Sequence, residues 1–405
     1  MTGRTLLFAF TFLSTFCIAG DWPQWRGPMR DGVSTETGLL KAWPASGPPK
    51  LWQVAGMGEG FSSFAVSQGR LFTQGQRSNQ SFVIALDAGT GKKVWETVIS
   101  NQPYRESRGN GPRGVPTVDG NLLYAESGDG TLACLETATG KIAWKLSFQD
   151  AFGGQVPHWG YSESPLIDGA KVIVTPGGPG ASVVALDKTS GKVLWKSGSD
   201  SAGYSSPIIA VTGGVRQVVV FGYSAVVGLR TSSGEQLWKY GKVANGTANI
   251  ATPIYQEPYL FVSSDYGTGC ALLKLTAQGQ SVKAEEVYFS REMKNHYTTS
   301  IVSGDYLYGY NSNILTAMNW KTGQVAWRDR AVGKGQVAMA ENRLYLYSED
   351  GMVGLAELNP TAYKEVSRFT VPRGAYNTWT TPVISGGRMY LREQDTLYCY
   401  DIKAK

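Results

Sequence analysis

Short apolar runs alternate with Gly-, Asp-, Asn- and Ser-rich breaks along nearly the whole chain, and beyond residue 20 no stretch keeps a long helical period. One unit of this pattern returns. Ala85-Leu86-Asp87-Ala88-Gly89-Thr90-Gly91-Lys92-Lys93-Val94-Trp95 reads as an apolar strand, a tight turn at Thr-Gly and a second strand reaching Trp. Copies run from Cys134 through Gly140-Lys141 to Trp144, and from Ala185 through Gly191-Lys192 to Trp195. Looser copies run from Gly228 to Trp238 and from Ala317 to Trp327.

The apolar position before the acidic residue falls at Leu86, Leu135, Leu186 and Leu229. Less regular copies put it at Leu275, Met318, Leu358 and Tyr400, a period of roughly 40–50 residues. A second signal keeps the same rhythm: a strand–turn–strand such as Ser164-Pro165-Leu166-Ile167-Asp168-Gly169. Its versions start near Ser63, Val115, Ser164, Ser206, Thr252, Ser300, Val337 and Thr381. Both signals count eight units of four short strands, which predicts an all-β fold: a single eight-bladed β-propeller of four-stranded antiparallel blades. The last unit ends at Tyr398-Cys399-Tyr400-Asp401 without a Trp strand, and Lys50-Leu51-Trp52-Gln53-Val54 is such a strand without a unit. The N-terminal strand is therefore expected to close the ring, leaving no open edge between first and last blades. Trp52, Trp95, Trp144, Trp195, Trp238 and Trp327 are expected to dock between neighbouring blades. Asp87 and Asp187 are expected to hold Asx turns.

Composition fits this picture. The 50 Gly of 405 residues supply the turns, and the 17% charged residues suit a strand-rich chain. Residues 1–19 read as a signal peptide, with Arg4 before an apolar core too short to span a membrane and a cleavage point at Ala19. Thr15-Phe16 before Cys17 do not form a lipobox, so the expected location is periplasmic or extracellular, without a lipid anchor or a transmembrane segment. The net charge of +6 is spread over all units and reads as solvated surface, with no nucleic-acid partner implied. Cys134, Cys270 and Cys399 read as small core residues without a disulfide. A monomer is expected.

Residues 20–49 precede the first closing strand and carry Trp22-Pro23-Gln24-Trp25-Arg26-Gly27-Pro28. They are expected to form a strap packed on the propeller rim, or an aromatic arm that binds peptide or sugar. Residues 50–405 are assigned to the propeller. Two connectors, residues 96–114 and 145–163, are longer than the rest and are where function is expected. Just before the first strands lies a ring of Phe61, Arg113, Tyr161, Tyr204, Asn249, Tyr297, Gln336 and Trp379. From it Arg113, Tyr161, Tyr204, Asn249, Tyr297 and Trp379, with His158 from the second long connector, are the candidate ligand-binding channel mouth. The chain has only His158 and His296, and no HExxH, CxxC, haem or P-loop motif. No metal site is read and no catalytic residue is assigned.

The repeats Ala85 to Trp95 and Ala185 to Trp195 resemble the tryptophan-docking repeat of the quinoprotein (PQQ-dependent) dehydrogenase superfamily, over essentially residues 51–401. The same repeat is found in BamB, the β-barrel assembly lipoprotein, to which the chain is similar in length. The Trp22 to Pro28 segment also resembles exported PQQ-like propellers. The resemblance implies either a binding or scaffold propeller that uses one face and the channel mouth, or an oxidoreductase with PQQ and Ca²⁺, in which Arg113 would anchor a quinone carboxylate. This chain has no adjacent Cys pair of the dehydrogenase kind. A non-catalytic propeller for a protein, small-molecule or carbohydrate ligand is therefore the leading expectation. A PQQ-dependent alcohol or sugar dehydrogenase and a carbohydrate- or peptide-binding propeller are the alternatives.

Overall fold

A computed structural model describes residues 20–405, so the expected signal peptide lies outside the described residues. The strands assemble into eight antiparallel sheets in chain order, each running from an inner to an outer strand. The first blade begins with Ala65–Ser67 and ends with Lys93–Ser100. The eighth takes its fourth strand, Lys50–Ala55, from the N-terminal side: Trp52 pairs with Cys399 and Val54 with Leu397. The fold is the expected eight-bladed propeller, closed by that strand.

The repeat is more regular in space than in sequence. In every blade the outer strand carries a β-bulge at the same place. Ala85 pairs with Trp95 but Leu86 with Lys93, leaving Val94 extra. Leu51 and Leu194 are extra in the same way, and the bulged Val94, Leu194 and Leu51 are among the few exposed large apolar residues. The residue opposite the Trp is small because the indole crosses the strand beside it: Ala85, Cys134, Ala185, Gly228, Ala317 and Cys399. The bulge also corrects two positions. In the fifth blade it falls between Leu272 and Leu273, and in the seventh between Leu355 and Ala356. The structural equivalents of Leu86 are thus Leu273 and Ala356, two residues before Leu275 and Leu358. The fifth blade hides this because its outer hairpin, Gly269–Gln278 with Ser281–Ser290, is extended.

Each Trp docks onto the turn of the next blade. A Cβ on Gly91, Gly140, Gly191 or Gly234 would meet the rings of Trp52, Trp95, Trp144 or Trp195 at 2.6–2.9 Å. The indole N–H groups of Trp95, Trp144, Trp195 and Trp327 donate to the carbonyls of Thr137, Lys188, Thr231 and Asn359. Trp238 differs: its N–H donates to Gln217 Oε1 in its own blade at 2.6 Å. Tyr288 takes the Trp place in the fifth blade and donates to Trp320 O. The seventh blade has Ser367 there, and Trp43 from the N-terminal segment fills the gap. Trp43 N donates to Ser367 Oγ, and its ring meets Phe369 edge-on. The Asx turns form as expected, with Thr90 N and Ser190 N donating to Asp87 and Asp187.

The strap does not lie on the rim. Residues 22–34 cross the central channel and touch the inner part of all eight blades. Trp22 bridges to Val66, and Val118 N donates to Pro23 O. Arg30 donates to the carbonyls of Ser164, Pro165 and Pro207. Trp25 Nε1 donates to Thr252 Oγ1 at 3.1 Å, and Arg26 donates to Thr299 O and Ser300 O at 2.8 Å. Val33–Ser34 pairs in parallel with Met339 and Ala340, and Ser34 Oγ reaches Ile384 O. The physical reason lies in the inner strands, whose carbonyls face the channel and need donors. Two guanidiniums, each with five N–H groups and no acceptor, supply them. Burial lowers Arg26 to about 10 and Arg30 to about 9, so both keep their charge at neutral pH. Arg392, fully buried, fastens the eighth blade to the first through Ser62 O, Gln74 O and Gly58 O.

Candidate functional site

The strap turns a tunnel into a cup. Above Trp25 lies a cavity of about 470 Å³ at the end of the channel where the inner strands begin. Hydroxyls next to those strands stitch the blades together. Val115 N donates to Ser164 Oγ, Ser164 N to Ser206 Oγ, and Thr252 N to Thr299 Oγ1. This is why Ser or Thr recurs at the start of the strand–turn–strand signal.

One wall of the cup is a run of rings from neighbouring blades. Phe61 lies against Trp379 with centroids 4.5 Å apart, Trp379 against Tyr297 at 5.9 Å, Tyr297 against His296 at 5.4 Å, and His296 against Tyr266 at 5.1 Å. Trp159 and Tyr204 form a second pair at 5.6 Å. Such flat, partly apolar surfaces hold rings well. Tyr266 sits at the rim in a left-handed conformation, φ +55°.

The polar groups of the cup are largely paired. Lys334 Nζ donates to His296 Nδ1 at 2.9 Å and lies 4.9 Å from the Tyr297 ring centroid. With Nδ1 accepting, His296 carries its hydrogen on Nε2, which contacts Tyr266 Oη at 2.8 Å. Burial, reinforced by the Lys334 charge, lowers His296 to about 4, so the ring is neutral at physiological pH. Glu349 Oε1 accepts from Trp379 Nε1 at 2.9 Å and lies 3.6 Å from Lys334 Nζ. Three groups on the floor remain open donors. The oxygens of Ser164, Ser206 and Thr252 accept bonds, and among the described residues their hydroxyl hydrogens have no acceptor. Gln336 Oε1 is buried without a partner.

The candidate residues separate into two groups. Arg113, Tyr204, Tyr297 and Trp379 line the cup. Arg113, however, is engaged: it ion-pairs with Glu106 at 2.8 Å, donates to Gly109 O and Gly111 O, and lies over the Phe61 and Tyr104 rings. Tyr161 is a core residue, 2% exposed, packed on Phe148 with its hydroxyl on Pro176 O. Asn249 is buried and ties its own loop, through Asn245 N, to a hairpin of the fourth blade, through Gly222 O and Tyr223 O. His158 is exposed outside the cup, its ring against Trp159. Trp25, Arg108, Trp159, Tyr266, His296, Lys334 and Glu349 were missed as site residues. Arg108 and Trp159 were findable, since they lie on the two long connectors. Tyr266 and Glu349 lie in hairpins inside blades and carry no positional signal.

The fold has known counterparts. The sequence pattern of the family described as outer membrane protein assembly factor BamB matches residues 79–329. The outer membrane protein assembly factor BamB of Yersinia pestis is 23% identical over 330 residues, 80% of this chain and 71% of that protein. The crystal structure of BamB from Moraxella catarrhalis superposes with a TM-score of 0.63 at 16% identity, covering 88% of this chain and 98% of that one. The quinohemoprotein alcohol dehydrogenase of Comamonas testosteroni superposes with a TM-score of 0.66 at 12% identity, covering 95% and 81%. At these identities the structural likenesses show the fold.

Proposed function

The chain belongs to the family described as outer membrane protein assembly factor BamB, and on that footing we propose that it is an exported, non-catalytic binding propeller whose cup-bearing face holds its ligand or protein partner. The observation that carries this reading is the mutual pairing of the cup's titratable groups. Glu349, His296, Lys334 and Tyr266 are linked to one another, and Glu349 is held by Trp379 as well. A general base needs a free lone pair within reach of substrate; here the imidazole is engaged at both nitrogens, and the carboxylate is held through Oε1 by Trp379 and Lys334. The expected leader at residues 1–19 and the family's role at the outer membrane support a place in the periplasm or outside the cell. Among the described residues no helix is long and apolar enough to cross a membrane.

The second reading, a PQQ-dependent oxidoreductase, draws on the likeness to the quinohemoprotein dehydrogenase. The ring walls and the cations suit a flat polyanion. The donor set does not suit a calcium–quinone pair. Among the described residues no three His, Cys, Asp or Glu side chains gather to hold a divalent ion, and Arg113 is already paired with Glu106. The test is a titration of the exported protein with PQQ and Ca²⁺, then desalting and dye-linked alcohol and sugar oxidation. No retention and no dye reduction are expected. Stoichiometric retention with turnover would overturn the non-catalytic reading.

A further inference from the structure

We propose that the cup binds an anionic saccharide, with a sugar ring carrying a carboxylate or sulfate laid on the Trp379 and Trp159 faces. The inference rests on the binding reading above and names its ligand class. Three features of the cup point to this ligand together.

The first is an excess of donors. The hydroxyl hydrogens of Ser164, Ser206 and Thr252 have no protein acceptor among the described residues. The buried side-chain atoms lining the cup that have no partner at all are Gln336 Oε1, an acceptor, and Tyr297 Oη, which has a further hydrogen to give. Buried polar groups seek partners, so the floor calls for a ligand dense in oxygen acceptors. The hydroxyls, ring oxygens and acid groups of a sugar supply them.

The second is charge. Arg108, Arg113 and Lys334 line the cup against the single carboxylate of Glu349. The Arg113 charge is matched by Glu106 and the Lys334 charge by Glu349, which leaves Arg108. Arg108 is exposed, and its guanidinium has no hydrogen-bond or ion-pair partner among the described residues. Burial and then the Asp265 charge raise the Tyr266 phenol, and Arg108 lies close enough to oppose them. Arg108 and Lys334 thus converge on the Tyr266–His296 rim, where a planar guanidinium can take a carboxylate or sulfate in a forked, charge-assisted pair.

The third is shape. The Phe61–Trp379–Tyr297 wall and the Trp159–Tyr204 pair give flat apolar faces for the CH side of a pyranose. A cavity of about 470 Å³ holds one or two such rings. The Trp25 floor, held by the buried strap, limits the depth to a chain end or a short stretch of polymer.

The test is calorimetric titration of the full exported protein with four probes: an oligogalacturonate, a sulfated galactan oligomer, a neutral galactan oligomer of the same length, and polyglutamate. One saturable site is expected for an acidic sugar, at least tenfold tighter than for the neutral one and weakening with salt. Preference for the galacturonate or for the sulfated oligomer identifies the acid group. Arg108→Ala should weaken the acidic sugar about tenfold and so remove most of its preference over the neutral one. Arg108 is exposed and unpartnered, so that variant should fold as the parent does, which circular dichroism checks. Equal binding of neutral and acidic sugars, an Arg108→Ala protein with unchanged affinity, binding of polyglutamate alone, or no saccharide binding would each overturn the proposal. In those cases the non-catalytic reading stands as long as PQQ is not retained. Retention and turnover of PQQ would remove that reading itself.

Discussion

The docking of each Trp on the next blade's turn makes a prediction that separates two reasons for a glycine. Trp195 is 8% exposed and donates to Thr231 O at 3.0 Å. A buried indole covers about 150–250 Å², worth about 4–6 kcal/mol at about 25 cal/mol/Å². The alanine methyl retains part of this, so Trp195→Ala should cost about 3–5 kcal/mol. Gly234, beneath that ring, has φ +74°, and a Cβ there would stand 2.6 Å from the Trp195 ring. Gly234→Ala should cost about 1 kcal/mol for the left-handed backbone and a further 1–3 kcal/mol or so for displacing the indole. In the double variant the second cost disappears, because the methyl enters space the indole has left. The pair should therefore fall short of additivity by about 1–3 kcal/mol. The assay is guanidinium unfolding of parent, single and double variants followed by far-ultraviolet circular dichroism, with stabilities from midpoint and slope. Additivity within about 0.5 kcal/mol would mean that the glycine is required for its backbone alone. A Trp195→Ala protein with an unshifted midpoint would refute the docking role.

Two more predictions test the interior. Arg30→Ala leaves carbonyls of the third and fourth blades without donors inside the channel. It should lower stability by about 3 kcal/mol or more and speed amide exchange at Ile208 and Leu166, read by hydrogen-exchange mass spectrometry; unchanged exchange would contradict the plug. The second concerns Glu126 and Glu163, both fully buried beside each other and near Arg30. Burial, and then the Glu163 carboxyl, raises Glu126 well above its ordinary value, and burial raises Glu163 to about 7. The folded state therefore holds a proton that the unfolded state releases near 4.5. This stability is fully present below the unfolded value and is lost as pH rises through about 7. Glu126→Gln should remove the Glu126 share of that loss, so its stability relative to parent should rise between pH 5 and pH 8. Following the difference cancels the opposite contribution of His296, whose lowered folded value favours stability as pH rises. A difference that is flat with pH would exclude the shared proton.

Much of the cup's lining is legible from spacing alone. Arg113, Tyr204, Tyr297 and Trp379 share the step before an inner strand, and a propeller sends that step to the channel mouth in every blade. The same spacing gave Tyr161 and Asn249 the same place. It could not show that the Tyr161 ring turns into the core onto Phe148, or that the Asn249 amide is taken up by a hairpin of the fourth blade. Position along a strand sets where a backbone goes, and the rotamer and the neighbours set where the side chain goes. The His296–Lys334–Glu349 linkage joins the fifth-to-sixth connector to the start and an inner hairpin of the seventh blade, and no local pattern relates residues so placed.

The sequence by itself determined the blade count, the strand order and the ring closure, because these follow from short-range periodicity: a turn residue every few positions, a Trp at a fixed offset, and an orphan strand at one end that the last unit lacks at the other. The tertiary structure decided what fills the channel. Eight inner strands leave their carbonyls facing a common axis, a demand that exists only once the ring has closed. Arg26 and Arg30 meet it from a segment whose own pattern of Trp, Pro and Gly suggests a surface strap. That placement puts Trp25 under the mouth and leaves a cup in place of a tunnel. Local propensity acts over a few residues, whereas a buried carbonyl takes its donor from wherever the closed fold brings one.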